Sequence, residues 1–512
     1  MRPSPFPSAV PRNIRLLLAL VCVLHFGLGV ALGLSVDEAH YALYAAHPDW
    51  SYFDHPPLVG WAQWPLVALA APTWMLRLLP ELLWLVTALL VYHLAERMQA
   101  GAADRMAVAP PVPSAGQVGF WAVVVLALAP LLHVLGIGLL PDTLLVFFTA
   151  ALMWVTLDLM DTAAVRRAGS WLVLGVLLGL AGLSKYTAIF AAMAVAVCLL
   201  LAHGAALLRN GWAWLALALA VLLVLPVAYW NHANGWISFT YQAKHGAGGG
   251  WQASHLLRFL VVQLLVYGPL LLWGWSGLRR GVAPAVRSLA LFFVLPFAVM
   301  AVLSGGGTSL PHWTAPGWVA LAPFAGIGLA RATRQGRNWV IRGLVGTQGL
   351  LCATALGLML TGGLPFITNP SGQGNSAHPS NPFADLHGWD VAGQRARALA
   401  AQHGLHSVAV QNWTLASRLG WYARPLPVHV LEDRFDQFDL WAGDLPVRGD
   451  TLLLDWSQLG YTAPVGAHGF ADCTLLDTQN VRRLDQPIAS FRFYACHNWS
   501  GGPPQPRLLG AP

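Results

Sequence analysis

Charge is what this 512-residue chain has least of: Asp, Glu, Lys and Arg make up 10% of it, against 56% hydrophobic residues. A soluble globular protein carries about a quarter charged residues, so that class is excluded. Lysine is scarcer still. Lys185 and Lys244 are the only two, and every other permanent base is arginine. Cysteine numbers five, too few for a disulfide scaffold. Cys22, Cys198 and Cys352 fall in apolar runs, where they read as packing residues. Cys473 and Cys496 lie in the C-terminal part, where an oxidising exterior would allow them to pair.

What the chain has in quantity is apolar sequence, in blocks long enough to cross a hydrocarbon core of about 30 Å as helices. Spans are expected near 14–33, 74–95, 118–137, 142–160, 171–183, 187–208, 212–230, 257–277, 288–304, 315–331 and 341–362, about eleven in all, the fifth being short. "LGLS" at 32–35 makes a weak cleavage site, so 14–33 reads as an anchor rather than a signal peptide. Arginine fills every second loop: Arg12 and Arg15, Arg97 and Arg105, Arg166 and Arg167, Arg209, Arg279 to Arg287, then Arg331 to Arg342. The positive-inside rule makes those loops cytoplasmic, so the loops at 34–73, 138–141, 184–186, 231–256 and 305–314 face outward with the tail. The net charge of +7 then describes topology and contact with anionic lipid, not nucleic-acid binding.

Composition changes after the last span. "TNPSGQGNSAHPSNPF" (368–383) has no periodicity and reads as a linker. Beyond it, strand-like "SVAVQNW", "PVHVLED" and "DTLLLDW" alternate with helical "VAGQRARALAAQHG", predicting a small α/β domain. The expected organisation is a membrane domain over 1–363, a linker over 364–384 and an extracytoplasmic domain over 385–512.

The unusual polar residues gather on the outward side. The first loop carries Asp37, Glu38, His40, His47, Asp49, Asp54 and His55; Asp142 opens a span in "LLPDTLLVFF"; Lys185 and Tyr186 lie in "LSKYTA", Lys244 in "YQAKHG", and His312 in "GGGTSLPHW". Some of these have plain explanations. His40 and His47 read as loop-packing residues, Trp50, Trp61 and Trp64 as belt aromatics, and Asp142 also suits a helix start after Pro141. Ionisable groups held at a membrane edge are nonetheless functional candidates. A carboxylate there can act as general base for a hydroxyl. Lysine, histidine or a metal held by carboxylate and imidazole can stabilise a departing phosphate. Together these parts describe group transfer from a lipid phosphate carrier. A transporter or flippase is the alternative class, but such proteins place ionisable groups near the bilayer midplane and carry inverted repeats.

"DEAHYALYA", "YFDHPPLVGW", "LLPDTLLVFF", "LSKYTA", "PVAYWNHANGWISF" and "PHWTAPGW" follow one another over residues 33 to about 320. This series resembles the bacterial protein-O-mannosyltransferase-like family, glycosyltransferase family 39 and its relatives, which includes the aminoarabinose transferase of lipid A and the rhizobial galacturonic acid transferases. "ASRLGWYARPLPVHV" and "RFDQFDLW" in the tail look like that family's periplasmic domain. The resemblance implies the C-type glycosyltransferase fold: about eleven transmembrane helices with a small extracytoplasmic α/β domain, in the inner membrane. It implies inverting transfer of a sugar from polyprenyl phosphate to an envelope glycolipid, glycan or protein, with an essential acid at Asp37-Glu38 and a second at Asp142. Asp54 and His55 match an acid–base pair near metal and lipid phosphate, so a divalent ion is a possible cofactor held by Asp54 and His55. His55, Lys185 and Tyr186 become the expected phosphate-binding residues, with His312 and Lys244 as further candidates. Pro56 and Pro57 push the residues before them out of helical geometry, which predicts that Asp54 and His55 project to opposite sides of the chain unless a turn intervenes.

Overall fold

The computed structural model describes residues 10–103, 116–162, 164–280, 282–336, 338–365, 381–432, 434–459 and 463–501. The expected linker lies mostly outside these residues, as does Arg105. Every expected span is helical. Among the described residues seven helices are long and apolar enough to cross a membrane, and two bent pairs, each counted as one span, bring the number to nine. The other two expected spans are Ala168–Ser184, a 17-residue apolar helix, and Ala315–Arg334. This is the polytopic all-α membrane architecture that the apolar blocks predict, with the count still approximate.

The chain forms two compact units that do not follow chain order. The first comprises Met1–Gly27, Asp54–Val59 and Arg77–Ala353; the second comprises Leu28–Phe53, Gly60–Leu76 and Thr354–Pro512. Most of the first loop therefore folds with the C-terminal residues, whereas the expected division at 363 ran straight along the sequence. The reason is packing. Helix Val36–Ala46 lies against helix Trp413–Tyr422, where Gly420 leaves room for Leu43 and Tyr422 Oη accepts a bond from Leu34 N at 2.9 Å.

In the membrane unit, helix Ala315–Arg334 is buried along nearly its whole length. Its run "APFAGIGLA" is small enough for neighbouring backbones to close in. A Cβ at Gly326 would meet Val118 O, and one at Gly328 would meet Trp273 O. The turn Pro311–Thr314, which feeds this helix, carries His312. Two spans are broken, by 79° between Gln117–Ala127 and Pro130–Ile137 and by 97° between Ala253–Tyr267 and Pro269–Arg279. A break frees carbonyls that lipid cannot satisfy. Gln348, from helix Asn338–Thr361, donates to the carbonyl at each break: Leu128 O at 2.9 Å and Tyr267 O at 3.2 Å. Gly268 sits at the second break with φ +87°, and a side chain there would run into Gln348.

The second unit holds a five-stranded sheet: β1 (Val408–Val410), β2 (Val428–Val430), β3 (Thr451–Trp456), β4 (Phe470–Arg483) and β5 (Gln486–Trp499). Their order is β2-β1-β3-β5-β4; β1 runs parallel to β2 and β3, and β5 runs antiparallel to β3 and β4. This is the predicted α/β domain, extended by the long β4–β5 hairpin. Cys473 and Cys496 face each other in that hairpin and form a disulfide.

Candidate active site

Three helix ends of the membrane unit bring charge together. Helix Pro141–Leu159 starts with Pro141 at its first position and Asp142 at its second. Thr143 fixes this start: its hydroxyl donates to the carbonyls of Leu135 (3.1 Å) and Gly138 (2.9 Å) and accepts from Leu140 N (3.2 Å). Helix Ala168–Ser184 ends at Lys185, whose extended backbone (φ −158°, ψ 142°) stops the helix. Lys185 Nζ donates to both oxygens of Asp142, each at 2.7 Å. Both residues are buried, at 5% and 1% exposure. His312 Nε2 lies 3.8 Å from Asp142 Oδ2, and the Trp313 ring centre is 5.8 Å from Lys185 Nζ.

An ammonium has three N–H donors. Two are spent on Asp142, and the third has no hydrogen-bond partner among the described residues. A buried ion pair without full hydrogen bonding gains less than its desolvation costs, so the spare donor marks a position where an incoming oxygen is favoured.

His55 stands near this pair and feels the charges of both Lys185 and Asp142. Burial holds its imidazole below the usual histidine range; the Asp54 carboxylate opposes that shift and Lys185 reinforces it. The ring is therefore neutral at pH 7 and offers hydrogen bonds rather than a fixed charge. Opposite projection of Asp54 and His55 was expected unless a turn intervened, and one does. The chain bends through 53–55, and His55 Nδ1 turns back to the Asp54 carbonyl, with Asp54 Oδ2 3.9 Å away. Gln242 holds the same carbonyl from a distant helix, a contact no local rule could foresee.

Tyr186 packs its ring on Phe239 at 5.2 Å beside this cluster. Lys244, on helix Ile237–Ala247, is exposed, and among the described residues no hydrogen bond or ion pair brings it to the cluster. Among the described residues no three His, Cys, Asp or Glu side chains form a metal-binding group. Asp54 and His55 supply two donors, and an ion such as Mg²⁺ takes its remaining ligands from water and substrate phosphate.

The loop carrying His312 also walls a cavity of about 330 Å³, lined by His255, Arg258, Gln263, Thr308 and Ser309. The Thr308 and Ser309 hydroxyls and Gln263 Nε2 are buried without hydrogen-bond partners. Gln263 Oε1 is fully used, accepting from Thr314 (2.6 Å) and Trp318 (2.7 Å), which fixes its amide nitrogen as the free end. One arginine with three spare donors is the chemistry of an anion site. Sequence reasoning missed it. Its one legible signal was an arginine at a helix end expected to face outward, a position shared with Arg77.

In the second unit the acids of the first loop separate into two roles. Ser35 caps helix Val36–Ala46, and Glu38 closes the capping box by accepting from Ser35 N (3.0 Å) and Oγ (2.9 Å). Glu38 is thus engaged in holding the helix start. Asp37, half-buried at the second helical position, is not part of that box and instead faces the charge of Arg418. Arg418 pairs with Asp385 and packs its guanidinium against the adjoining rings of Trp389 (4.1 Å) and Trp456 (4.8 Å). His40 is buried against Ser417 Oγ at 3.0 Å among aromatic rings, a packing residue as its composition suggested.

Comparison with known proteins agrees with this architecture. The sequence model of the family described as dolichyl-phosphate-mannose-protein mannosyltransferase matches residues 114–230. Lipid A galacturonosyltransferase RgtD of Rhizobium johnstonii is 25% identical over 294 residues, 56% of this chain. The match spans 58% of that relative's length. Two structures of ArnT from Cupriavidus metallidurans, one bound to undecaprenyl phosphate and one apo, match 97% of this chain and 100% of theirs. Their TM-scores are 0.59 and 0.60, at 15% and 16% identity. The comparisons agree with the motifs: this is a polytopic membrane protein of the C-type glycosyltransferase fold, similar in sequence to bacterial protein-O-mannosyltransferase-like transferases.

Proposed function

We propose that this protein moves a sugar from a polyprenyl-phosphate carrier to a hydroxyl of an envelope acceptor on the periplasmic side of a bacterial inner membrane. The observation that carries the reading is the buried Asp142–Lys185 pair, with one ammonium donor unspent and two histidines at its edge. Its members sit at helix ends and in loops, which favours a surface-facing reaction over passage through the bilayer midplane. RgtD, by its name, acts on lipid A, and one ArnT structure holds undecaprenyl phosphate; both support a lipid-phosphate donor and a glycolipid acceptor. The Cys473–Cys496 disulfide supports an oxidising compartment for the C-terminal unit.

In the reaction so proposed, the acceptor oxygen attacks the anomeric carbon as the bond from that carbon to the phosphate oxygen breaks. The electron pair leaves with polyprenyl phosphate, and a single displacement inverts the centre. Phosphate departs without protonation, so the chain's task is to stabilise its charge. Lys185 supplies the cation; His55, neutral, and Tyr186 supply hydrogen bonds; Arg258 with Thr308 and Ser309 is a second set of donors for the same phosphate. Asp37 takes the acceptor's proton, a role assigned from its motif.

The test is mass spectrometry of envelope glycolipids from a deletion strain, complemented with wild-type or Asp37→Asn protein. One sugar should be missing from a glycolipid in the deletion, restored by wild type and not by Asp37→Asn. An unchanged envelope, with purified protein instead carrying intact lipid-linked sugar across vesicles, would establish a flippase in place of a transferase.

A further inference from the structure

The second unit contains a cavity of about 520 Å³ that the reaction above does not use. Its walls come from Leu43 and His47 at the end of the first-loop helix, Trp64 and Val67 on helix Leu58–Ala68, and Trp441 and Arg424 from the C-terminal residues. The volume lies in the range of small-molecule sites, which are mostly apolar with a few placed polar groups. His47 stacks on Trp441 with ring centres 4.9 Å apart and 27° between planes, making a flat aromatic wall of the kind that suits a sugar ring.

Arg424 is the unusual member. Its guanidinium lies 3.5 Å over the Trp421 ring, and its Nε donates to Trp421 O at 3.0 Å. The two η-nitrogens have no hydrogen-bond partner, and no carboxylate pairs with them, among the described residues. Three arginines of this unit do have carboxylate partners, Arg418 with Asp385, Arg395 with Asp477 and Arg492 with Asp455. Arg397, Arg482 and Arg483 spend donors on backbone carbonyls or His387. The titratable neighbour of Arg424 is His47, held in the neutral form by burial and by Arg424 itself. A half-buried cation facing an apolar groove without a counter-ion is costly unless a ligand supplies one.

We propose that this groove binds the phosphorylated headgroup of a glycolipid acceptor, with phosphate on the Arg424 η-nitrogens, a sugar ring on the His47–Trp441 wall, and the acyl part along Leu43, Val67 and Trp64. This rests on the transfer reading for the acceptor's role, but the groove's chemistry is independent of it. Charge complementarity selects the occupant: an anion with an apolar body fills this groove, and a neutral lipid leaves Arg424 unpaired.

Native mass spectrometry of the full-length protein in detergent tests the proposal. The probes are bis-phosphorylated lipid A, its phosphate-free counterpart, and undecaprenyl phosphate. Wild type should bind phosphorylated lipid A at least tenfold more tightly than the phosphate-free form. Arg424→Ala should erase that preference, Arg424→Lys should restore part of it, and Trp441→Ala should weaken both lipid A forms. Undecaprenyl phosphate should bind all variants equally. A preference that survives in folded Arg424→Ala, or an Arg424→Ala defect confined to undecaprenyl phosphate, overturns the proposal. Arg424-dependent lipid A binding by a protein that transfers no sugar defeats the transfer reading and leaves the groove standing. Sugar transfer combined with Arg424-independent lipid A binding does the reverse.

Discussion

Each unit buries one strong ion pair, and the two pairs are built for different ends. Arg418 in the C-terminal unit is tied into its surroundings: Asp385 on one side, Thr414 O on its Nε at 3.1 Å, and the Trp389 and Trp456 rings against its guanidinium. Asp385 also accepts from Val36 N at 3.3 Å, so the pair ties the first loop to the C-terminal residues. Burial lowers the Arg418 pKa to about 9, with Asp37 opposing the shift. The Lys185–Asp142 pair is at least as deeply buried, but among the described residues its ammonium bonds only to Asp142. It keeps a donor in hand and has titratable neighbours. A pair that ties two stretches of chain together is architecture; one whose spare donor stands beside titratable groups is a site.

The largest expected effect is on the open pair. Lys185→Met should slow transfer by roughly 10²–10³, the usual loss for one preorganised charge-stabilising donor, and Asp142→Asn should also reduce it strongly. The double variant should regain the thermal stability lost by Lys185→Met while staying slow, measured as unfolding temperature and transfer rate on one preparation. Recovery of the rate along with stability would make this pair architecture too. Next in size is the closed pair. Arg418→Leu should cost about 1.5–3 kcal/mol of unfolding free energy, the range for hydrogen bonds made by a charged group, read by denaturant titration. Near-normal stability there would erase the contrast between the pairs. The smallest effect concerns Asp436, which caps helix Gln437–Trp441. Burial raises its pKa from 3.8 to about 7. Folding therefore favours the protonated form, and the stability it contributes is full below pH 3.8 and lost as pH rises to about 7. Asp436→Asn keeps an acceptor for Phe438 N without the charge, so its unfolding temperature should gain on wild type by more at pH 8 than at pH 4.5. An equal difference at both pH values would contradict the raised pKa.

Much of this was legible before any coordinates. Asp142 and Lys185 stood out because charge is so scarce, and both proved to be buried partners. The spans and the parallel β1–β2–β3 core were visible as apolar blocks and β-branched runs. What escaped depended on distance along the chain. Thr308, Ser309 and Gln263 are ordinary residues in outward loops and helices; only the fold leaves their polar atoms buried and free around Arg258. Proline rules placed Asp54 and His55 apart unless a turn intervened; Gln242, 188 residues away, bonds the Asp54 carbonyl to which His55 turns. The long β4–β5 hairpin was missed because β4 is mostly exposed, so it lacks the apolar alternation that reveals a half-buried strand.

Gln348 carries a consequence for biosynthesis. Proteins are made from the N-terminus, so the broken helices at Leu128 and Gly268 emerge from the ribosome long before the carboxamide that bonds both. In the interval the carbonyls of Leu128 and Tyr267 must find other donors, and hydrocarbon has none. A nascent chain stopped short of residue 348 is therefore a different object from the finished protein missing one helix. It carries two open bends, and the helix made after them closes both with a single side chain.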